Sequence, residues 1–320
     1  FVVFAYLDPA LDILFIFVVA LAVSAFSATQ DIAIDAYRRE LLPTDAELAL
    51  GNSIHVQVYR IAGFIPGSLG LILADYLPWS SVYWVMAAFM FVGVLTTLLI
   101  KEADMEPNIP RSLREAVTRP FFEYLGRKGV GQALLVLLFL FAYKFGDSMA
   151  TVLSTSFYLD LGFTMTEIGL VAKNAGFWSA LVGGILGGLV IVKIGINKGL
   201  WIFGFIQLVT ILGFAYLAIH GYSLLLLGAV IAAEYLGVGL GTSAFVAFIA
   251  RETSPKLAAT QFALFTAVTA LPRSVTAATT GWLVEYLGWP SFFYLCTLFA
   301  IPGLILLFWV APFSADSSEK

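Results

Sequence analysis

Apolar residues in this chain form long uninterrupted runs, separated by short segments rich in charged residues, Gly or Pro. Each run is close to the roughly 20 residues that a helix needs to cross a hydrocarbon layer about 30 Å thick. The pattern predicts nine full membrane spans, at residues 10–37, 48–74, 80–100, 130–158, 166–192, 198–219, 222–250, 258–285 and 289–312. Residues 1–7 are expected to end an earlier span.

Composition supports the same fold class. Hydrophobic residues make up 60% of the 320 residues and charged residues 12%, with a mean hydropathy of +0.94. The charged share is about half of the roughly 25% found in soluble domains. The single cysteine, Cys296, lies inside an apolar run, which excludes a disulfide framework and a cysteine metal cluster. We therefore predict an all-α polytopic membrane protein without a cofactor.

Basic residues alternate between the two ends of the predicted spans. Thirteen of the 17 Lys and Arg residues lie at alternate span ends, and the intervening connections near 75–79, 159–167, 220–222 and 286–290 contain none. Because basic loops stay in the cytoplasm, this alternation predicts that the C-terminus is cytoplasmic.

An internal repeat relates the two parts of the chain. Arg39-Glu40-Leu41-Leu42-Pro43 is echoed by Arg251-Glu252-Thr253-Ser254-Pro255, Arg60 by Arg273, and Asp75-Tyr76-Leu77-Pro78-Trp79 by Glu285-Tyr286-Leu287-Gly288-Trp289. Both copies have the same orientation, as in transporters built from two six-helix halves. The repeat predicts part of a first bundle at 1–100, a cytoplasmic linker at 101–128, a six-helix bundle at 129–313 and a tail at 314–320. About three further helices are expected before residue 1.

Ionisable residues inside spans are the main candidates for function, because each costs about 2.5–3.5 kcal/mol or more at the bilayer centre. Asp31 and Asp35 are four residues apart, which places them on one helix face. Two close carboxylates in a low dielectric do not both ionise easily, so one could carry a transported proton. Alternatively, Asp35 pairs with Arg38 or Arg39 and is structural.

The later spans carry further polar groups. Lys144 and Asp147 are three apart and can form an ion pair that either opens for an anionic substrate or only neutralises the charges. A polar stripe predicted to line a cavity comprises Thr266, Thr269, Arg273, Thr276 and Thr280. Arg273 and Arg60 are fixed cations that could clamp carboxylates or bond backbone carbonyls. Lys173 with Asn174 and Glu234 with Tyr235 are polar pairs at mid-span depth, and His55 is expected to be a packing residue.

Several segments resemble the AmpG-type muropeptide permeases of the major facilitator superfamily. The resemblance is carried by Ser27-Ala28-Thr29-Gln30-Asp31-Ile32-Ala33-Ile34-Asp35-Ala36, Tyr143-Lys144-Phe145-Gly146-Asp147, Gly241-Thr242-Ser243-Ala244-Phe245-Val246-Ala247 and Ala259-Thr260-Gln261-Phe262-Ala263-Leu264. It extends over nearly the whole chain. One departure is the loop near 188–198, which lacks the acidic residue of the superfamily's gating motif.

The resemblance implies proton-driven import of N-acetylglucosaminyl-anhydro-N-acetylmuramyl peptides across the bacterial inner membrane, for peptidoglycan recycling. Its partners would be an amphipathic glycopeptide, protons and lipid, with no nucleic acid, and a monomer is expected. The proton-coupling candidates are Asp31, Asp35, Asp147 and Glu234. The substrate-binding candidates are Gln30, Arg60, Tyr143, Lys144, Lys173, Asn174, Gln261, Thr269 and Arg273.

Two other functions fit the same pattern. The chain could import another anionic metabolite, such as an acyl-coenzyme A or a sugar acid. It could also be a transporter-like sensor of cell-wall fragments, although the 28-residue linker and short tail leave little room for a signalling partner. The sequence contains no nucleophile–base set, zinc spacing or Walker loop, which disfavours an enzyme or an ATP-driven pump.

Overall fold

The structure is a computed structural model that describes residues 2–8, 11–41, 58–59, 61–100, 113–254 and 258–313. Across these residues the chain is helical and has no β-strand, which confirms the all-α class. The helices are α1 (Ile13–Leu41), α2 (Gly70–Tyr76), α3 (Trp79–Leu99), α4 (Leu113–Lys128), α5 (Val130–Val152), α6 (Ser154–Asp160), α7 (Met165–Glu167), α8 (Lys173–Ile194), α9 (Ile196–His220), α10 (Leu224–Glu252), α11 (Ala258–Leu287) and α12 (Trp289–Val310). A 3₁₀ turn covers Val2–Tyr6, and π-helical turns cover Ile65–Leu69 and Ile168–Ala172.

Seven helical segments within the described residues are long and apolar enough to cross a membrane, by length and composition. They begin at Ile13, Trp79, Val130, Met165, Ile196, Leu224 and Trp289. The predicted span at 258–285 forms helix α11, but this helix is not among the seven. Its threonines and Arg273 lower its mean hydropathy. Much of the predicted span at 48–74 lies outside the described residues.

The helices group into two compact units. The first contains residues 1–109 and 164–173, and the second contains 110–163 and 174–320. In the first unit, aromatic side chains of the Val2–Tyr6 turn pack on α3, with the rings of Phe4 and Tyr83 stacked 5.7 Å apart. Helix α2 and its preceding π turn pack against α7 and the second π turn.

The core of the second unit lies where α5, α9, α10, α11 and α12 meet. Its buried side chains include Phe139, Tyr143, Leu200, Phe248 and Leu307. The outward faces of the helices in this unit are apolar as well, since Val192 of α8 and Leu225 of α10 are more than four-fifths exposed. A helix that is apolar on all sides is typical of a membrane span.

Small residues bring α8 and α10 into backbone contact. A Cβ placed on Gly183 would collide with the carbonyl oxygen of Leu236, and one on Gly187 would lie 2.9 Å from the carbonyl oxygen of Leu240. The Ser243 hydroxyl donates to the carbonyl of Gly184 over 2.7 Å and fixes the crossing. Small residues at a helix crossing let the two backbones pack closely, which drives helix association in lipid.

The predicted linker contains helix α4, which docks on the second unit. The Tyr124 ring is fully buried and contacts Phe265 of α11 with ring centroids 4.8 Å apart. Gly129, at a positive φ of 80°, makes the turn from α4 into α5. This part of the linker is therefore an ordered helix at the end of the bundle.

Candidate functional site

A cluster of ionisable side chains lies inside the second unit, on helices that are otherwise apolar. Lys144 and Asp147 project from the same face of α5, with Nζ 3.8 Å from Oδ2. Their side chains are only 13% and 14% exposed. The Lys144 ammonium also donates to Thr242 Oγ1 over 3.4 Å and lies 5.7 Å from the centre of the Phe245 ring. The predicted Lys144–Asp147 pair is therefore present, anchored between α5 and α10.

Glu234 of α10 lies beside this pair and is completely buried. The Asp147 carboxyl is within hydrogen-bonding range of the Glu234 carboxyl, and Lys144 is the nearby cation. Among the residues that the structure describes, neither oxygen of Glu234 has a hydrogen-bond partner, and Asp147 Oδ1 also lacks one. Burying a carboxylate without a donor is costly, so this arrangement requires an explanation.

Polar groups of α9 complete the surroundings of the acids. The Thr210 hydroxyl, next to Glu234, donates to the backbone carbonyl of Gln207 over 3.0 Å. The buried Gln207 amide donates to the carbonyl of Gly237 over 3.0 Å, so it is also committed to the backbone. A small cavity of about 10 Å³ lies against Asp147, with Gln207, Tyr143 and Leu304 among its lining residues. A cavity of this size is near the lower limit of what can hold one water molecule.

The arrangement can hold a proton. Three oxygens of these two carboxyl groups lack a donor within the described part of the chain, and a proton shared between the groups would supply one. The Lys144 ammonium neutralises only one negative charge. The cluster is therefore chemically suited to bind and release one proton without any metal or cofactor.

The first-half candidates are described less completely. Gln30 and Asp31 lie on α1 and are exposed. The Asp35 side chain, Arg60 and His55 lie outside the described residues. The predicted closeness of Asp31 and Asp35 on one helix face thus stays a prediction.

Three substrate-binding candidates have structural contacts. The buried Tyr143 hydroxyl donates to the carbonyl of Leu200 over 3.0 Å, and its ring stacks on Phe245. Gln261 is fully buried, accepts the backbone N–H of Ser254 and donates to the carboxylate of Glu123. The Thr269 hydroxyl donates to its own helix, at the carbonyl of Thr266. We therefore do not include these side chains in the proposed substrate contacts.

The threonine stripe of α11, which is predicted to line a cavity, combines buried and exposed residues, and its cavity-lining role stays a prediction. Thr276 and Thr280 are fully buried and face the interior of the helix bundle, whereas Arg273 is exposed. The stripe is thus divided between a packed face and a single exposed cation. Lys173 and Asn174, at the start of α8, are half-buried and have polar contacts.

The sequence reasoning missed three residues of the cluster as site residues, namely Gln207, Thr210 and Thr242. A signal existed for Gln207, since it is the single amide in the apolar run from Leu200 to Leu217. Threonines are common in membrane helices, because their hydroxyls bond to the carbonyl one turn earlier. Thr210 and Thr242 could therefore be recognised as members of the cluster only from the tertiary structure.

Comparison with known proteins shows which family this chain belongs to. A model described as Major Facilitator Superfamily matches residues 1–277. An uncharacterised protein of Haemophilus influenzae is 47% identical over 324 residues, covering 98% of this chain and 75% of its own length. An anhydromuropeptide permease of Escherichia coli is 36% identical over 304 residues, covering 94% of this chain and 61% of its own length. This chain therefore spans about three quarters of one relative and about three fifths of the other.

Proposed function

Because this chain belongs to the Major Facilitator Superfamily, we propose that it imports anhydro-muropeptides across the bacterial inner membrane, driven by protons. The chain is a multi-pass membrane transporter. The identity of its cargo is inferred from the permease relative and from the motifs that carry the resemblance. We place the C-terminus in the cytoplasm, on the side of the basic loops.

The observation that carries proton coupling is the acidic pair of Glu234 and Asp147. Both acids are buried, Lys144 Nζ lies 3.8 Å from Asp147 Oδ2, and three of the four carboxyl oxygens lack a hydrogen-bond partner among the described residues. A carrier uses such a site when protonation changes which of its conformations is stable. Loss of the proton would leave two carboxylates competing for one ammonium, and this repulsion would favour a different arrangement of α5 and α10.

The substrate contacts are proposed on the exposed polar groups. A muropeptide carries peptide carboxylates and sugar hydroxyls, which require cations and amides respectively. Arg273 is an exposed guanidinium suited to a carboxylate, and Gln30 is an exposed amide on α1. Asp31 remains a second candidate for proton coupling, and lipid is the surrounding solvent.

Uptake into proteoliposomes tests the proposal. The full-length protein should accumulate labelled anhydro-muropeptide when a pH gradient is imposed, and unlabelled muropeptide should compete. Glu234→Gln and Asp147→Asn should each reduce gradient-driven uptake by about tenfold or more, because neither variant can cycle the proton. Glu285→Gln is the matched control, since Glu285 is an exposed acid near the end of α11.

Other outcomes identify other functions. Stronger competition by an acyl-coenzyme A or a sugar acid would indicate a different anionic cargo. Binding of muropeptide without uptake would indicate a sensor. Equal uptake by Glu234→Gln, Asp147→Asn and the unmodified protein would remove both acids from coupling.

A further inference from the structure

Residues 164–173 pack with the half of the chain to which they do not belong by sequence. The repeat assigns them to the second half, where they begin the predicted span at 166–192. In the structure they lie in the compact unit formed by residues 1–109, against α2 and the π turn that precedes it. The segment therefore joins elements that come from both sequence halves.

The outer end of this contact is a carboxylate at a helix N-terminus. Asp75, exposed near the end of α2, accepts the backbone N–H of Thr166 over 2.6 Å. Thr164 and Glu167 form a capping box that satisfies two neighbouring N–H groups. Asp75 thus accepts a further backbone N–H of the first helical turn, and its negative charge interacts favourably with the positive end of the helix dipole.

The inner end of the contact is buried and joins two π turns. The Ser68 hydroxyl, in the Ile65–Leu69 turn, donates to the carbonyl of Gly169, in the Ile168–Ala172 turn, over 2.8 Å. A Cβ on Gly169 would lie 3.0 Å from the Ser68 carbonyl and 3.1 Å from Ile72. The missing side chain therefore allows the close approach. A π turn in a helix is uncommon and is frequently found at functional sites.

We propose that Asp75 and Ser68, bonded to Thr166 and Gly169, form a latch that opens and closes once in each transport cycle. The inference rests on the proposed function, because a carrier must repeatedly separate elements of its two halves. The latch residues Asp75 and Thr166 lie in the connections 75–79 and 159–167, which contain no Lys or Arg. We therefore expect the latch on the side of the membrane opposite the basic loops. Two hydrogen bonds, one of them exposed, suit a contact that must break and re-form.

A reversible cross-link tests whether the latch opens. Asp75→Cys and Thr166→Cys are combined in the full-length protein with Cys296→Ala, and uptake of labelled anhydro-muropeptide is measured after oxidation and again after reduction. We expect oxidation to reduce uptake by about tenfold or more and reduction to restore it. Complete cross-linking with unchanged uptake would overturn the proposal.

A matched cross-link controls for rigidity alone. Trp289 donates its indole N–H to Asp160 over 3.0 Å, and both residues belong to the second half by sequence. Asp160→Cys with Trp289→Cys therefore joins two loops on the same face without crossing between the halves. Oxidation of this pair should leave uptake unchanged, and equal inhibition by both pairs would contradict the latch.

A second measurement does not depend on the substrate. Ile72 is half-buried beneath the contact, so a cysteine at this position reports its opening. Adding Asp75→Ala should raise labelling of Ile72→Cys by a membrane-impermeant maleimide about threefold or more, and equal labelling would contradict the latch. Because no cargo is added, this result separates failure of the latch from failure of the proposed function.

Discussion

The phenol of Tyr124 donates a 3.0 Å hydrogen bond to Oε2 of Glu252, which joins the linker helix α4 to the last residue of α10. Both residues are buried. Lys128 Nζ lies 3.0 Å from the same carboxylate oxygen, and Arg127 donates to the Glu252 backbone carbonyl over 2.7 Å. A buried carboxylate with this many donors holds the two helices together.

Loss of that hydrogen bond should loosen the linker helix. Tyr124→Phe keeps the ring in the core but removes one of the donors to Glu252, so the free energy of unfolding should fall by about 1–2 kcal/mol. Thermal unfolding in detergent measures the change. Tyr286→Phe, at an exposed position, is the control and should unfold like the unmodified protein. An equal midpoint for both variants would show that the bond adds nothing.

The crossing of α8 and α10 gives a prediction with an internal control. Gly183→Ala should destabilise the protein by about 1–3 kcal/mol, because the new methyl group collides with the backbone of α10. Gly184→Ala adds the same methyl group one residue later, where no atom of another described element lies within 4 Å. The two variants are compared by thermal unfolding. A loss of stability from Gly184→Ala as large as that from Gly183→Ala would contradict the packing argument.

Helix positions could be predicted because they depend on local composition. The predicted spans 80–100, 198–219 and 289–312 coincide closely with Trp79–Leu99, Ile196–His220 and Trp289–Val310. Apolar runs fix the extent of these helices, and Gly or Pro marks their ends. The Lys144–Asp147 contact was also predictable, because three-residue spacing places both side chains on one helix face.

Contacts between helices could not be predicted from the same signals. Glu252 appeared only as part of a repeated motif, and the polar composition of 101–128 gave no sign that Tyr124 is fully buried. Gln261 is predicted to bind the substrate because it matches a family motif. In the structure its side-chain amide accepts a hydrogen bond from Ser254 and donates one to Glu123. The π turns at Ile65–Leu69 and Ile168–Ala172 have no sequence signature and arise where the two segments pack together.

Asp75 should not determine the pH dependence of transport. The Thr166 hydroxyl and the backbone N–H groups of Thr166 and Met165 lower the pKa of the Asp75 carboxyl from its usual value near 3.8. A carboxyl group whose pKa is lower in the folded state stabilises the fold at pH values above its unfolded-state pKa. This stabilisation is lost as the pH falls through the folded-state pKa. Because the pKa of Asp75 lies below its usual value, Asp75 is expected to stay ionised throughout the pH range of the uptake measurement. Uptake by Asp75→Asn, measured from pH 5 to 8, should keep the profile of the unmodified protein, while Glu234→Gln should flatten it. A shifted midpoint in Asp75→Asn would contradict this assignment.

The Lys144–Asp147 pair should show strong coupling in a double-mutant cycle. Lys144→Met removes the ammonium that lies beside Asp147 and Glu234, so it should lower the free energy of unfolding by about 3–5 kcal/mol when both acids are ionised. Asp147→Asn alone leaves Lys144 beside Glu234, its other acidic neighbour, and should cost less. The double variant should recover part of the loss from Lys144→Met, because one carboxylate then remains and can bind a proton.

Thermal unfolding at pH 8 and pH 5 measures all four proteins. The cost of Lys144→Met should shrink at pH 5 if a proton bound by the cluster replaces part of the lost positive charge, and equal costs at both pH values would mean that the cluster binds no proton in this range.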